Sequence, residues 1–198
     1  MRRQVRKRLS SFFLAVATVL ALVTATVEMY GFQNGEIQEQ PTQDQVEAAY
    51  LYNFGKFVRW PSPNETGALV LCVAGQEKVE QGLAQLAAGE QAGGHLLSVK
   101  SVDRVADSGD CSILFLGRGS TARLQAYLAA TNGKPVLTVS DTKDFLARGG
   151  TIQFVADDDH VRFAVNLKTA NQNGLQLSSE LLKVAVKVVG TPGIGGGK

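Results

Sequence analysis

The sequence predicts an α/β domain: a mostly parallel central sheet flanked by helices, with a C-terminal β-hairpin and a final amphipathic helix. Three observations carry this. Short apolar runs, such as 69–74 (LVLCVA) and 112–116 (SILFL), alternate with stretches of helical period, the layout of a sheet whose strands are linked by helices. The runs are apolar at nearly every position rather than at every second one, as expected of strands covered on both faces. From Thr151 onward two strand-like runs, 151–156 (TIQFVA) and 161–166 (VRFAVN), are joined by only four residues, short enough for a hairpin.

The elements follow in order. Arg2, Arg3, Arg6, Lys7 and Arg8 precede an apolar run over 9–27 with no charge until Glu28. Basic residues followed by an apolar core at the N-terminus form the layout of a secretory signal. Val23-Thr24-Ala25 offers small residues at the −3 and −1 positions, so 1–25 is read as a signal peptide. A retained membrane anchor is the alternative reading, since about 20 apolar residues span a bilayer. Residues 31–43 are polar and glutamine-rich, and 26–43 are expected to be a flexible leader. Thr42 and Gln45 make a capping box for a helix over about 44–58, with Val46, Ala49, Tyr50, Asn53, Phe54 and Phe57 on one stripe. Trp60-Pro61 ends it, because proline disfavours helix in the residue before it.

The run 69–74 is the first strand, and 77–88 is a helix with Val79, Leu83 and Leu86 inward. Gly93-Gly94 is a break before a strand at 95–100, and 102–109 is a loop or short helix. The strand at 112–116 turns through Gly117-Arg118-Gly119 into a helix over 120–130. A strand at 136–140 and a short helix at 144–147 follow. In the second hairpin strand Val161, Phe163 and Val165 alternate with Arg162, Ala164 and Asn166, the signature of one buried face. This hairpin is expected to extend the sheet as an antiparallel addition. After a helical turn at 168–173, residues 178–189 are read as the last helix, with Leu181, Leu182, Ala185, Val186 and Val189 inward. The glycine-rich stretch 190–198 is expected to be a disordered tail. The domain is thus placed at 44–189, a length typical of a single fold.

The chain has 198 residues and a formal net charge of +2. Five of its basic residues lie in the signal, so the remainder is mildly acidic. That excludes the basic footprint of a nucleic-acid binder. Cys72 and Cys111 are the only cysteines. In an exported domain two cysteines are most simply a disulfide; two buried free thiols are the alternative. His95 and His160 are the only histidines, and neither stands at ligand spacing from a cysteine, so no metal site is predicted.

Candidate sites are sparse. Gly117-Arg118-Gly119-Ser120 follows a strand and opens a helix, a natural place for an anion, with Arg118 able to fork onto a phosphate or carboxylate. The plainer reading is a tight turn with Ser120 as a cap, since neither the dinucleotide fingerprint nor the P-loop pattern is present. Gly75-Gln76-Glu77 is a weaker case of the same turn. Arg59 and Trp60 leave the first helix together. If the first and last helices pack, they could share a cleft with Ser178 and its exposed N–H groups; the plainer reading makes Trp60 core and Ser178 a helix cap. Asp157-Asp158-Asp159 lacks the spacing of a calcium loop and reads as an acidic turn. Asp141 and Asp144 stand after a strand, where Ser140-Asp141-Thr142 is most simply a cap. No Gly-x-Ser-x-Gly elbow occurs, and no catalytic residue, cofactor or enzyme activity is predicted.

Several segments resemble the YfiR-like family of periplasmic proteins: residues 49–61 (AYLYNFGKFVRWP), 71–75 (LCVAG), 111–116 (CSILFL), 139–141 (VSD) and 149–154 (GGTIQF). The closing segment is similar too: 161–166 (VRFAVN), then Ala170, Gly174-Leu175, Ser178-Ser179, Leu181-Leu182 and Ala185. The resemblance implies an α/β sandwich, a signal peptide and no enzymatic activity. It implies a periplasmic repressor that holds the sensing domain of an inner-membrane diguanylate cyclase, or another membrane sensor protein, inactive. It further implies sequestration by an outer-membrane lipoprotein, an effect on cyclic di-GMP and biofilm formation, and a disulfide between Cys72 and Cys111. A homodimer is left open. Some members carry a second cysteine pair around the Gly-Gly turn; the corresponding stretch here, 145–154, has none.

Overall fold

The computed structural model describes residues 40–61, 67–157 and 160–190. The signal at 1–25, nearly all of the leader, Asp158 and Asp159, and all of the tail beyond Gly190 lie outside the described residues. The unit from Pro41 onward is the domain considered below.

Helix α1 (Gln43–Phe57) begins where the capping box requires. Thr42 Oγ1 accepts from the Gln45 N–H, and the Gln45 side chain accepts from the Thr42 N–H at 2.7 Å. Its buried residues are Glu47, Ala48, Leu51, Phe54 and Gly55. The inward stripe is therefore rotated from the expected one: Asn53 is exposed and bonds back to Ala49 O, and Phe57 is 39% exposed. A carboxyl and a glycine on the buried face mask the stripe from a hydrophobicity pattern.

The chain then forms β1 (Val58–Arg59), β2 (Leu69–Ala74), α2 (Glu77–Ala87), β3 (Gln91–Ala92) and β4 (His95–Ser101). A 3₁₀ turn over Val105–Asp110 leads to β5 (Ile113–Leu116). A second, Arg118–Arg123, leads into α3 (Leu124–Thr131), and then β6 (Leu137–Ser140), β7 (Ile152–Asp157) and β8 (His160–Asn166). The chain closes with α4 (Leu167–Gln172), β9 (Gln176–Leu177), α5 (Ser179–Val184) and β10 (Lys187–Val189).

Eight strands form the main sheet in the order β10-β8-β7-β6-β5-β2-β4-β3. β4, β2, β5, β6 and β7 are mutually parallel. β8 returns antiparallel to β7 as the expected hairpin, and β3 is antiparallel to β4. The chain runs from β2 outward to β4, then crosses back to β5, so the order reverses between β2 and β5. Gly93-Gly94, expected as a mere break, is the turn joining β3 to β4; both glycines have positive φ.

Alternate residues of the central strands face two separate cores, as the pleat dictates. Leu71, Val73, Ile113 and Phe115 pack under α1, α2 and the C-terminal helices, with Phe54, Val79, Leu83, Phe154, Phe163 and Leu181. Cys72, Ala74, Leu114 and Leu116 face the other side, against Leu124, Tyr127, Val136 and Phe145. The first core is knit by aromatics: Phe54 meets Phe163 edge-on at 5.3 Å, and Tyr50 meets Phe163 at 5.5 Å.

Two expected helices are corrected. The stretch expected as a helix at 144–147 is a series of turns over 143–149, entered through Asp144 at φ 59. Aspartate tolerates that left-handed conformation better than most residues. The final helix is present but stops at Val184. Val186, Val188 and Val189 are β-branched, which favours strand over helix, and β10 pairs parallel with β8 on the edge that the hairpin left open. The hairpin is therefore interior, and β10 is the edge. Residues expected on one helical face lie instead on a short helix and a strand.

Candidate functional site

The disulfide is formed: Cys72 of β2 is bonded to Cys111, just before β5. Both cysteines are buried in the second core, so the bond ties neighbouring strands from inside and presents no sulfur to solvent.

Arg59, Trp60 and Ser178 are brought to one end of α1 by a two-stranded antiparallel ribbon of β1 and β9, with Val58 opposite Leu177 and Arg59 opposite Gln176. The Ser178 N–H donates to Phe57 O at 2.9 Å, and Ser178 Oγ accepts from the Leu181 N–H at 3.2 Å. Ser178 is thus the N-cap of α5 and lies outside the adjoining cleft. That cleft, about 470 Å³, is lined by Lys56, Arg59, Trp60, Leu69, Ala92 and His95 among others. Trp60 is half-buried against the first core, and its Nε1–H donates to Ser112 O at 3.2 Å. His95 Nδ1 lies 2.7 Å from Gly67 O. A carbonyl only accepts, so that nitrogen carries the hydrogen. Among the described lining residues there are two cations and an imidazole, and no carboxylate.

Arg118 lies where the strand order reverses, the crevice in which open α/β sheets bind ligands. Here neighbouring loops fill it. Gly75 and Gly119 lie so close that a Cβ on Gly75 would stand 2.5 Å from Ser120 N. The Gly119 N–H donates to Gly75 O at 3.0 Å, the Arg118 N–H to Gln76 Oε1 at 3.2 Å and the Ser120 N–H to Gly117 O at 2.9 Å. An anion at this turn would have to displace bonds already made. Ser120 does not cap with its side chain: its Oγ donates to Gly117 O at 2.7 Å.

The Arg118 guanidinium is engaged by Asp141 at 3.0 Å, which holds it still more firmly protonated. Ser140-Asp141-Thr142 is not a helix cap. Ser140 Oγ donates to Leu116 O at 2.6 Å and accepts from the Thr142 N–H. Beside this pair stands a residue that nothing in the sequence marks, Glu47 of α1, which is 0% exposed. Its Oε1 accepts from Gln43 Nε2 at 2.7 Å. Burial, with the negative charges of Asp141 and Asp44 adding to it, pushes its pKa up to about 7. Only its position on the inward face of α1 could have flagged it, and that face becomes visible once the helix is packed.

Among the described residues no cluster of three or more His, Cys, Asp and Glu could hold a metal. No helix there is long and apolar enough to cross a membrane.

These features define a disulfide-tied, doubly wound α/β domain whose usual ligand crevice is closed by its own loops and whose basic cleft lies elsewhere, at the end of α1. The chain belongs to the YfiR/HmsC-like family, whose profile matches residues 44–186. That is a regulatory, non-catalytic family known in periplasmic control of cyclic di-GMP signalling. Among solved structures, the chain is similar to a conserved domain protein from Vibrio cholerae O1 biovar El Tor str. N16961, with a TM-score of 0.50 and 10% identity. It covers 74% of this chain and 60% of that one. A second similar structure is the ABC domain in complex with L-Trp from Streptococcus pneumonia, with a TM-score of 0.49 and 8% identity over the same shares. The chain thus spans 60% of the length of each. The first likeness is one of fold alone.

Proposed function

We propose that the protein is a non-catalytic periplasmic regulator that represses an inner-membrane diguanylate cyclase by binding its periplasmic sensor domain. The observation that carries this reading is family membership over 44–186, nearly the whole described domain. The buried Cys72–Cys111 bond supports it, being suited to an oxidising compartment. A regulator outside the cytoplasm has no direct access to cyclic di-GMP, so its effect passes through a membrane partner, and an outer-membrane lipoprotein that sequesters it would relieve repression. Deleting the gene should raise cyclic di-GMP and surface attachment, measured by a reporter and by adhesion assay. No change in either, in a strain that expresses periplasmic-sensor diguanylate cyclases, would sink the reading.

The cleft of Lys56, Arg59, Trp60 and His95 favours a second reading, a sensor module for a small organic anion that serves another membrane protein. A thermal-shift panel of carboxylates and nucleotides separates the two. A ligand at a hundred times its dissociation constant adds about 2.7 kcal/mol, and Arg59→Ala should abolish the shift. A flat panel removes the second reading and leaves the first.

A further inference from the structure

Buried polar atoms in folded proteins are nearly always hydrogen-bonded, yet two carboxylate oxygens here are not. Glu47 Oε2 and Asp141 Oδ1 are both buried without a partner, while the second oxygen of each is bound, by Gln43 and by Arg118 respectively. The Asp141 side chain is only 10% exposed. Two ionised carboxylates buried within electrostatic reach of each other repel, and each orphan oxygen costs desolvation energy. A proton on Glu47 removes its charge from the neighbourhood of Asp141, needs no cavity, and turns its orphan acceptor into a donor.

The surroundings join separate parts of the fold. Glu47 and Asp44 lie in the first turns of α1, Arg118 follows β5, and Asp141 follows β6. Gln76, between β2 and α2, bridges them: its Nε2 donates to Asp44 Oδ1 at 2.8 Å, and its Oε1 accepts from the Arg118 N–H. The charges acting on Glu47 are those of Asp141, Asp44 and Arg118. Strands β2, β3 and β5 beneath the helix carry no charge. Glu77, Lys78 and Glu80 of α2, Glu180 and Lys183 of α5, and His160 and Arg162 of β8 are not among the groups that shift it.

We propose that Glu47 and Asp141 act as a proton-operated latch, which holds the first two turns of α1 against the loops that carry Gln76, Arg118 and Asp141 while a proton is bound and loosens them when it leaves. The other end of the same helix leads through β1 to Arg59 and Trp60, so the latch gives the domain a proton input at the element that leads to its cleft. The latch does not depend on which partner or ligand the protein has.

The sign follows from linkage. A carboxyl whose folded pKa lies above its unfolded value binds more protons when folded. This group's contribution is therefore most favourable at and below the ordinary value of 4.5, and it is lost as pH rises through about 7. Between pH 6 and pH 8 the opening constant of the α1 amides should rise about tenfold from this group alone. Hydrogen exchange at residues 44–51, corrected for intrinsic rates, reads that change in the full domain. Glu47→Gln should abolish the rise. Asp141→Asn should lower the midpoint at which the Glu47 side-chain carbon titrates by NMR, which a merely structural role for Asp141 would not do. The wild-type NMR titration needs no variant and stands even if a variant fails to fold. A Glu47 midpoint near 4.5, an unchanged slope in Glu47→Gln, or restoration of protection at pH 8 by magnesium or calcium would each overturn the latch; the last would make the pair a cation site.

Discussion

Single residues divide by whether local rules suffice to read them. Thr42 as a cap and the Cys72–Cys111 pair are legible from chain neighbours and composition, because their partners are close by or unique. Glu47 is not: a glutamate in a helix is ordinarily a solvated side chain, and only the packing of α1 in the folded domain buries it. The strand-to-helix turn at Gly75 suggests a cradle for an anion, but its use is different. At φ 74 it lets one strand-end loop lie against another, with no room for a Cβ between Gly75 and the Gly119-Ser120 backbone. Gly75→Ala should therefore cost more than about 2 kcal/mol, since left-handed strain and a backbone clash add. Chemical denaturation at fixed pH checks this, and a cost within about 0.5 kcal/mol of zero would show that the two loops do not depend on contact.

Elements were legible where one signal dominated. The apolar strands and the β7–β8 hairpin are set by period and by turn chemistry and appear where the pattern puts them; the α2 stripe keeps Val79 and Leu83 inward, but Ala87 is buried in place of Leu86, which is exposed. The short pieces β1, β3 and β9 were missed because two-residue strands have no period. The sequence pattern overextends the last helix because Leu181, Leu182, Ala185, Val186 and Val189 fit a helical stripe as well as a helix-then-strand. The choice fell to the β8 edge, whose unpaired backbone groups offer Val186 and β10 hydrogen bonds that a helix end would lack. The capping box of α1 gives this scale its test. Thr42→Ala removes the acceptor for the Gln45 N–H and should cost about 1 kcal/mol. Exchange should then rise first in the opening turn of α1, which also carries Glu47. Uniform loss of protection across the domain would mean instead that α1 does not open on its own.

At the scale of the whole molecule, the bond between Cys72 and Cys111 closes a loop of 39 residues in sequence and links β2 to the entrance of β5. Loop-closure entropy assigns such a bond on the order of 3–4 kcal/mol. Replacing both cysteines by alanine should lower stability by about that amount. Added reductant should destabilise the wild-type domain but leave the double variant's melting temperature unchanged. Sensitivity of the double variant to reductant would place the effect elsewhere. By itself the sequence determined the class of fold, the order of its main strands along the chain, the cysteine pair and the family, because period, turn residues and motif order are properties of neighbours in the chain. Tertiary structure decided the rest. It filled the β2–β5 crevice with glycine loops, drew Arg118 to Asp141, separated Ser178 from the Arg59–Trp60 cleft and buried Glu47 on the inward face of α1. Each of these depends on which distant surfaces meet and on how little water remains between them, and no local pattern encodes that.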